Sequence, residues 1–191
     1  HQSGKRIHWQ GGAHDVNNVG CSDCHRIHTR DQTQSKYLLA NVCFSCHNNV
    51  KIDFLRPSAH PANEKINCVD CHNPHGSASL KELNRLDVNQ LCFDCHAEKR
   101  GPFLWEHAPA SEDCISCHRP HGSNHYALLK SRPPFLCQQC HQNQTGTRHM
   151  NQLMEYTNTS NRGRFIVGGS CMNCHPKIHG SNHPSGVSLT R

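Results

Sequence analysis

The chain has 191 residues, room for one ordinary domain or two small ones. Leu, Ile, Val and Phe together make up less than a fifth of it, while Cys fills 14 positions and His 19, so a large core of packed side chains is excluded. A formal charge of +6 with His neutral comes without any Lys/Arg run longer than two or interleaved aromatics, which argues against nucleic acid; no apolar run approaches the roughly 20 residues of a membrane-spanning helix.

In chain order, the sequence opens at His1 without Met or an apolar leader, which reads as an exported chain whose signal has been removed. Ser35 to His47 reads as a short helix. Ser77 to His96 brings Leu80, Leu83, Asp87 and Leu91 near helical spacing and is expected to form one helix. Pro134 to His141 begins on a proline suited to a first helical turn. Gly, Pro, Asn and Ser dominate elsewhere, so loops are expected, and no alternation argues for a sheet.

Every cysteine falls in one pattern, Cys-x-x-Cys-His. The copies are Cys21/Cys24/His25, Cys43/Cys46/His47, Cys68/Cys71/His72, Cys92/Cys95/His96, Cys114/Cys117/His118, Cys137/Cys140/His141 and Cys171/Cys174/His175. This is the attachment signature of haem c. Two thiols three positions apart lie on one side of a helical turn and reach both vinyl groups of one porphyrin. The following imidazole then projects at the iron, which makes these seven histidines proximal ligands. Tetrathiolate zinc needs two pairs per metal, so seven pairs leave one over. Thioredoxin-like motifs come singly, beside a βαβ pattern that is absent. The cofactors are therefore seven covalently attached haem c groups.

The other histidines are sorted by periodicity. A two-haem repeat starts at Cys21, Cys68, Cys114 and Cys171. His14, His60 and His107 lie seven or eight positions ahead of the first three starts, and His149 is the displaced counterpart in the last unit. His28, His75, His121 and His179 follow the same motifs. Eight periodic histidines for seven irons imply two imidazoles per iron with one spare, which is His14, His28, His149 or His179. His125 and His183, in Gly-Ser-Asn-His strings, read as loop residues, and His1 and His8 are weakly placed. No Met is periodic, so Met ligation is not expected. One domain over 1–191 follows, built from units at about 14–59, 60–106, 107–148 and 149–191.

The expected fold is a multihaem cytochrome c: mostly coil, with a few short α-helices wrapped around a linear haem array and negligible β structure. Phe103, Trp105, Phe135 and Phe165 read as ordinary packing on haem edges. Basic residues offset the propionates of the haems. Imidazole on both faces of each iron leaves no place for a substrate, so the chain reads as an electron carrier and not an enzyme.

The strings Gly101 to His125 (GPFLWEHAPASEDCISCHRPHGSNH) and Cys171 to Pro184 (CMNCHPKIHGSNHP) resemble the MtrA/DmsE-type decahaem cytochrome family. The resemblance covers essentially the whole chain and is strongest from about Phe54 onward. It aligns with the C-terminal part of that family, which places three further motifs before His1. It implies a periplasmic cytochrome that threads an outer-membrane β-barrel and passes electrons to surface cytochromes in anaerobic or extracellular respiration. It also implies His14, His60 and His107 as ligands ahead of their motifs, and His28, His75, His121 and His179 behind them; the His149 segment resembles the last unit. The expected partners are other redox proteins, on the quinol side and among periplasmic or surface cytochromes, and no nucleic acid. Two other readings stay open: a homopolymer, as a subunit of an extracellular filament, and a soluble periplasmic shuttle to a reductase. Haem is joined to thiols outside the cytoplasmic membrane, so periplasm, outer membrane or extracellular surface is the expected location.

Overall fold

Seven times the chain makes the same single turn. In each Cys-x-x-Cys-His motif the histidine N–H donates to the carbonyl of the first cysteine, at 2.8 to 3.0 Å. A bond of that span closes one helical turn and sets both cysteines and the histidine on one side of it. Short polar side chains start several of these turns, as capping predicts. Asp23 accepts from the Gly20 N–H at 2.7 Å and Asp70 from the Asn67 N–H at 2.7 Å. Asp113 accepts from Ile115 and Ser170 from Met172.

The computed structural model describes residues 6–26, 36–61, 65–141 and 170–191. His28, His149 and Phe165 lie outside these. The described helices are α1 (Ala13–Val16), α2 (Cys21–Cys24), α3 (Lys36–Phe44), α4 (Asn48–Phe54), α5 (Cys68–Cys71), α6 (Val88–Phe93), α7 (Ala108–Glu112) and α8 (Phe135–Gln138). Two motifs instead turn as 3-10 helix, over Cys114–Ser116 and Cys171–Asn173. No strand forms among the described residues; only isolated bridges do. The chain is mostly coil with a few short helices. No helix among the described residues is long and apolar enough to cross a membrane.

The helix expected over Ser77 to His96 is not continuous. Lys81 and Glu82 take left-handed φ values of 60° and 55°, which ends a 3-10 turn at Leu80–Glu82. Asp87 then caps a new helix, α6, by accepting from the Gln90 N–H at 3.0 Å. The expected helix over Pro134 to His141 is shorter, with Pro134 as the cap of α8. The helix read at Ser35 to His47 appears as α3, and α4 carries no clear sequence signal.

Among the described residues the buried apolar side chains are Ala40 and Phe44, whereas Leu80 is 87% exposed and Tyr126 92% exposed. Side-chain packing alone does not hold such a chain. What the backbone supplies instead is a set of clasps that join the stretch ahead of one motif pair to the stretch behind the first motif of the next pair. Ser58 and Ser123 exchange backbone hydrogen bonds at 3.1 and 2.7 Å, and Trp105 and Ser181 do the same at 2.9 Å in both directions. In the first unit Glu82 takes over, its carboxylate accepting from the Ala13 N–H at 2.9 Å and from the Ser77 N–H. Ser123 and Ser181 are among the most buried polar residues, and each turns its hydroxyl onto a carbonyl, of Leu129 and Arg191 respectively.

The residue before Ser123 and before Ser181 is Gly, in a His-Gly-Ser string. A Cβ on Gly122 would stand 1.8 Å from the Asp53 carbonyl oxygen, and one on Gly180 would stand 2.3 Å from the Phe103 ring. Only a hydrogen fits there. Gly122→Ala is expected to cost about 2–3 kcal/mol, as overpacking does, and to lower the denaturation midpoint with the haem count unchanged. An unaltered midpoint would show that the close approach is not needed.

Candidate haem-binding sites

The proximal histidines do not stand alone. Six of them face a second imidazole, at ring-centroid separations of 6.1 Å for His47 and His14, 5.9 Å for His25 and His75, 6.4 Å for His96 and His60, 6.1 Å for His72 and His121, 6.2 Å for His141 and His107, and 6.2 Å for His118 and His179. The register is regular. A histidine ahead of an odd-numbered motif faces the proximal histidine of the next motif. A histidine behind an odd-numbered motif faces the proximal histidine two motifs earlier.

That gap has a chemical meaning. Two metal–imidazole bonds of about 2 Å each, plus the half-widths of two small rings, separate the ring centres by roughly 6 Å. Among the described residues no group of three or more His, Cys, Asp or Glu side chains is placed to hold a bare metal ion. The donors come in opposed pairs, which suits a metal that brings its other four ligands with it. The residues present therefore fit haem iron.

Backbone carbonyls orient these rings. His72 donates from Nδ1 to the Lys81 carbonyl at 2.8 Å, His118 to Ala127 at 2.8 Å and His175 to Ser188 at 2.6 Å. Among the facing histidines, His14 donates to the Pro74 carbonyl at 2.8 Å and His60 to Pro120 at 2.6 Å. A carbonyl only accepts, so the proton sits on Nδ1 and the Nε2 lone pair is free for a metal. The carbonyls at Lys81 and Ala127 are aimed by left-handed backbone at Lys81–Glu82 and Ala127–Leu128, with φ between 55° and 60°. The next carbonyl in each turn, of Glu82 or Leu128, takes the N–H of Asn73 or Arg119 at 2.7 Å. Strained non-glycine backbone of this kind costs energy and persists where a site requires it. Nothing in the sequence marks these turns, because none of the four residues is Gly or Asn.

Burial holds His75, His107, His121 and His179 below the usual imidazole range, which favours the neutral, coordinating form. Aromatic rings back two of them: Trp9 lies 6.2 Å from His75 and Phe54 lies 5.6 Å from His121. Phe54 sits at the end of α4 and in turn packs on Phe44, 5.8 Å away. The aromatics singled out in the sequence lie elsewhere. Trp105 donates from Nε1 to the His183 carbonyl within its clasp, Phe103 fills the space under Gly180, and Phe135 is half exposed beneath Arg132.

The sulphurs run in chain order. The thiols of Cys43 and Cys68 are in hydrogen-bond contact, which drives Cys43 far up and pulls Cys68 down to about 7. Burial, with Cys114 beside it, pushes Cys92 up to about 12; burial, with Cys171 beside it, pushes Cys137 up to about 11. The second cysteines neighbour one another in the same order, close enough to act on each other electrostatically: Cys24 beside Cys46, Cys71 beside Cys95 and Cys117 beside Cys140. Each inner motif thus meets its predecessor through one sulphur and its successor through the other. Motifs four and five are further tied by Asn89, buried, which accepts from the Cys114 N–H at 2.7 Å and donates to the Ser111 carbonyl at 2.9 Å.

The sixth motif meets the seventh through Cys137 and Cys171, and Cys174 is exposed, as Cys21, Cys24, Cys46, Cys95 and Cys140 are. The turn itself is made like the others, since the Cys174 N–H donates to the Cys171 carbonyl at 3.2 Å and the His175 N–H to the same carbonyl at 2.9 Å. Both thiols and His175 therefore fit one porphyrin.

The doubled CXXCH motif family matches residues 14–52, 60–101 and 107–146, more than half of the chain. The multihaem cytochrome MtrA of Shewanella baltica (strain OS185) is 47% identical over 195 residues. The chain belongs to the doubled CXXCH motif family, as a multihaem cytochrome of the MtrA type. That alignment covers all of this chain and 58% of the relative, so the chain spans less than two thirds of the cytochrome it matches. Each segment matched to the doubled CXXCH family opens on a histidine that faces a proximal ring: His14, His60 or His107.

Proposed function

We propose that the chain conducts electrons through seven covalently attached haem c groups, each iron held between two imidazoles. When bound, the haems supply one-electron transfer at iron. The reading is carried by six opposed histidine pairs whose spacing suits iron. Filled axial positions leave no vacancy for a substrate, which favours a carrier over a catalyst. The alternating sulphur contacts support an array that follows motif order, so charge moves along the chain from one end to the other.

The register assigns His28, behind the first motif, to an iron outside the seven; His149 departs from that register, and it is the count of eight periodic histidines for seven irons that gives it to the iron at His175. His28→Ala is expected to keep all irons of the isolated chain low-spin. His149→Ala is expected to produce one high-spin iron.

The similarity to MtrA supports a place in the bacterial envelope, at the periplasmic or outer-membrane side, with redox proteins as donor and acceptor and an outer-membrane β-barrel as the fitting scaffold. The decisive experiment combines intact mass with ferric electron paramagnetic resonance. A mass increase of seven haems and a purely low-spin spectrum are expected. Fewer haems, or iron dominated by water ligation, overturns the proposal.

A further inference from the structure

The last unit departs from the others at one atom. In the first two clasped units the motif is followed by His-Asn-Pro-His (His72 to His75) and His-Arg-Pro-His (His118 to His121), and the proline carbonyl accepts from a facing histidine of an even-numbered motif. His14 is anchored on Pro74 and His60 on Pro120. The corresponding string in the last unit is His175-Pro176-Lys177-Ile178-His179, one residue longer. Lys177 takes over the N–H contact to the left-handed turn, donating to the Leu189 carbonyl at 3.0 Å, so Pro176 is the inserted residue. His107 is the counterpart of His14 and His60, and its Nδ1 is buried with no hydrogen-bond partner among the described residues. The Ile178 carbonyl, which stands where Pro74 and Pro120 stand, still lies close enough to draw on the His107 ring N–H, but it does not reach the hydrogen-bond geometry that His14 and His60 make.

An Nδ1–H that donates to a carbonyl gives the imidazole more anionic character, makes it a stronger donor to iron and favours the ferric state. Drawing the acceptor away from good hydrogen-bond geometry does the reverse. We propose that the haem of Cys137, Cys140, His141 and His107 has the highest potential of the three even-numbered sites, because the lengthened spacer around Pro176 and Ile178 weakens the anchor that Pro74 and Pro120 give to His14 and His60. This rests on the axial pairing proposed above. Pro176 and Ile178 are positioning residues: they touch no iron and act through His107. Each site takes one electron, ferric to ferrous, from a neighbouring haem that is oxidised in the same step, so the site acts as a resting place near the last motif.

The test is a stepwise reductive titration of the fully loaded chain, followed by nuclear magnetic resonance of assigned haem methyl groups. When the Cys43/Cys46 and Cys92/Cys95 haems are half reduced, the Cys137/Cys140 haem is expected to be about nine-tenths reduced, a tenfold difference in its reduced-to-oxidised ratio. Reduction together with the other two, or after them, overturns the proposal. Removing Pro176 together with Ile178→Pro rebuilds the short string, and the site is then expected to reduce in step with the other two. A fully loaded variant in which it still reduces first overturns the assigned cause. If that variant does not load, the order in the unaltered chain decides. A His107→Ala chain whose irons all stay low-spin would instead remove the axial pairing itself.

Discussion

Replacing His121 by Met is expected to raise the potential of the third haem and to trap electrons in the middle of the array. His121 is the ring opposite His72, 6.1 Å away, and Phe54 packs against it. Methionine fills a similar volume and can ligate iron, but as a weaker donor it destabilises the ferric state. Axial ligands shift haem potentials over a range of about 0.8 V. A trap about 0.15 V deep slows escape by between two and three orders of magnitude, since about 59 mV is tenfold for one electron. The third motif stands between the second, through Cys43 and Cys68, and the fourth, through Cys71 and Cys95. End-to-end electron flow in the fully loaded variant, measured on an electrode, should fall by about that factor, and a Met-ligated ferric band should appear. Unchanged flow with the band present would mean that electrons bypass the third site.

The second large effect concerns the fold. Cys92→Ser with Cys95→Ser deletes both attachment points of the fourth haem while leaving His96 in place. The described residues bury so little apolar surface, Ala40 and Phe44, that nothing else fills the space. The loss should be comparable to the roughly 5–15 kcal/mol that holds an ordinary domain together. Amide exchange is expected to become fast from Lys65 to His118, on both sides of the missing group, and little soluble chain should accumulate. Protection equal to that of the unaltered chain would show that the polypeptide packs without the porphyrin.

Motif chemistry was the most legible part of this sequence. Cys-x-x-Cys-His demands one helical turn, and each copy makes it. The motif letters do not distinguish the surroundings of each sulphur, so the exposure of Cys174 against the half-buried Cys171 left no trace in them. The short-helix, coil-rich architecture was legible too, because the composition leaves no material for a sheet or a large core. Periodicity named histidines that stand opposite proximal rings, but not which faces which. That pairing crosses units, as in His75 with His25, and local spacing carries no record of it. The Ser77 to His96 stretch misled for a related reason. Its apolar spacing is helical, yet the Lys81 carbonyl is held toward His72 by left-handed backbone, and that tertiary demand overrides propensity. The Gly and Ser of the His-Gly-Ser strings looked like loop residues, although Gly122 and Ser123 are where one unit closes on another. A signal was there: the same three letters recur behind each odd-numbered motif from the third onward. Phe54 carried none, since a single aromatic at a helix end looks the same whether it backs a ligand or not.

The clasps have a consequence for how such molecules change over time. Ser58 with Ser123 and Trp105 with Ser181 join the stretch ahead of one odd-numbered motif to the stretch behind the next, and among the described residues the facing histidines reach two motifs at most. An array joined by the same short-range contacts at each repeat can gain or lose whole repeats by duplication or deletion, two metal centres at a step, with equivalent joints remade. Its reach is then a matter of how many copies are strung together, and it can be altered without inventing a new fold.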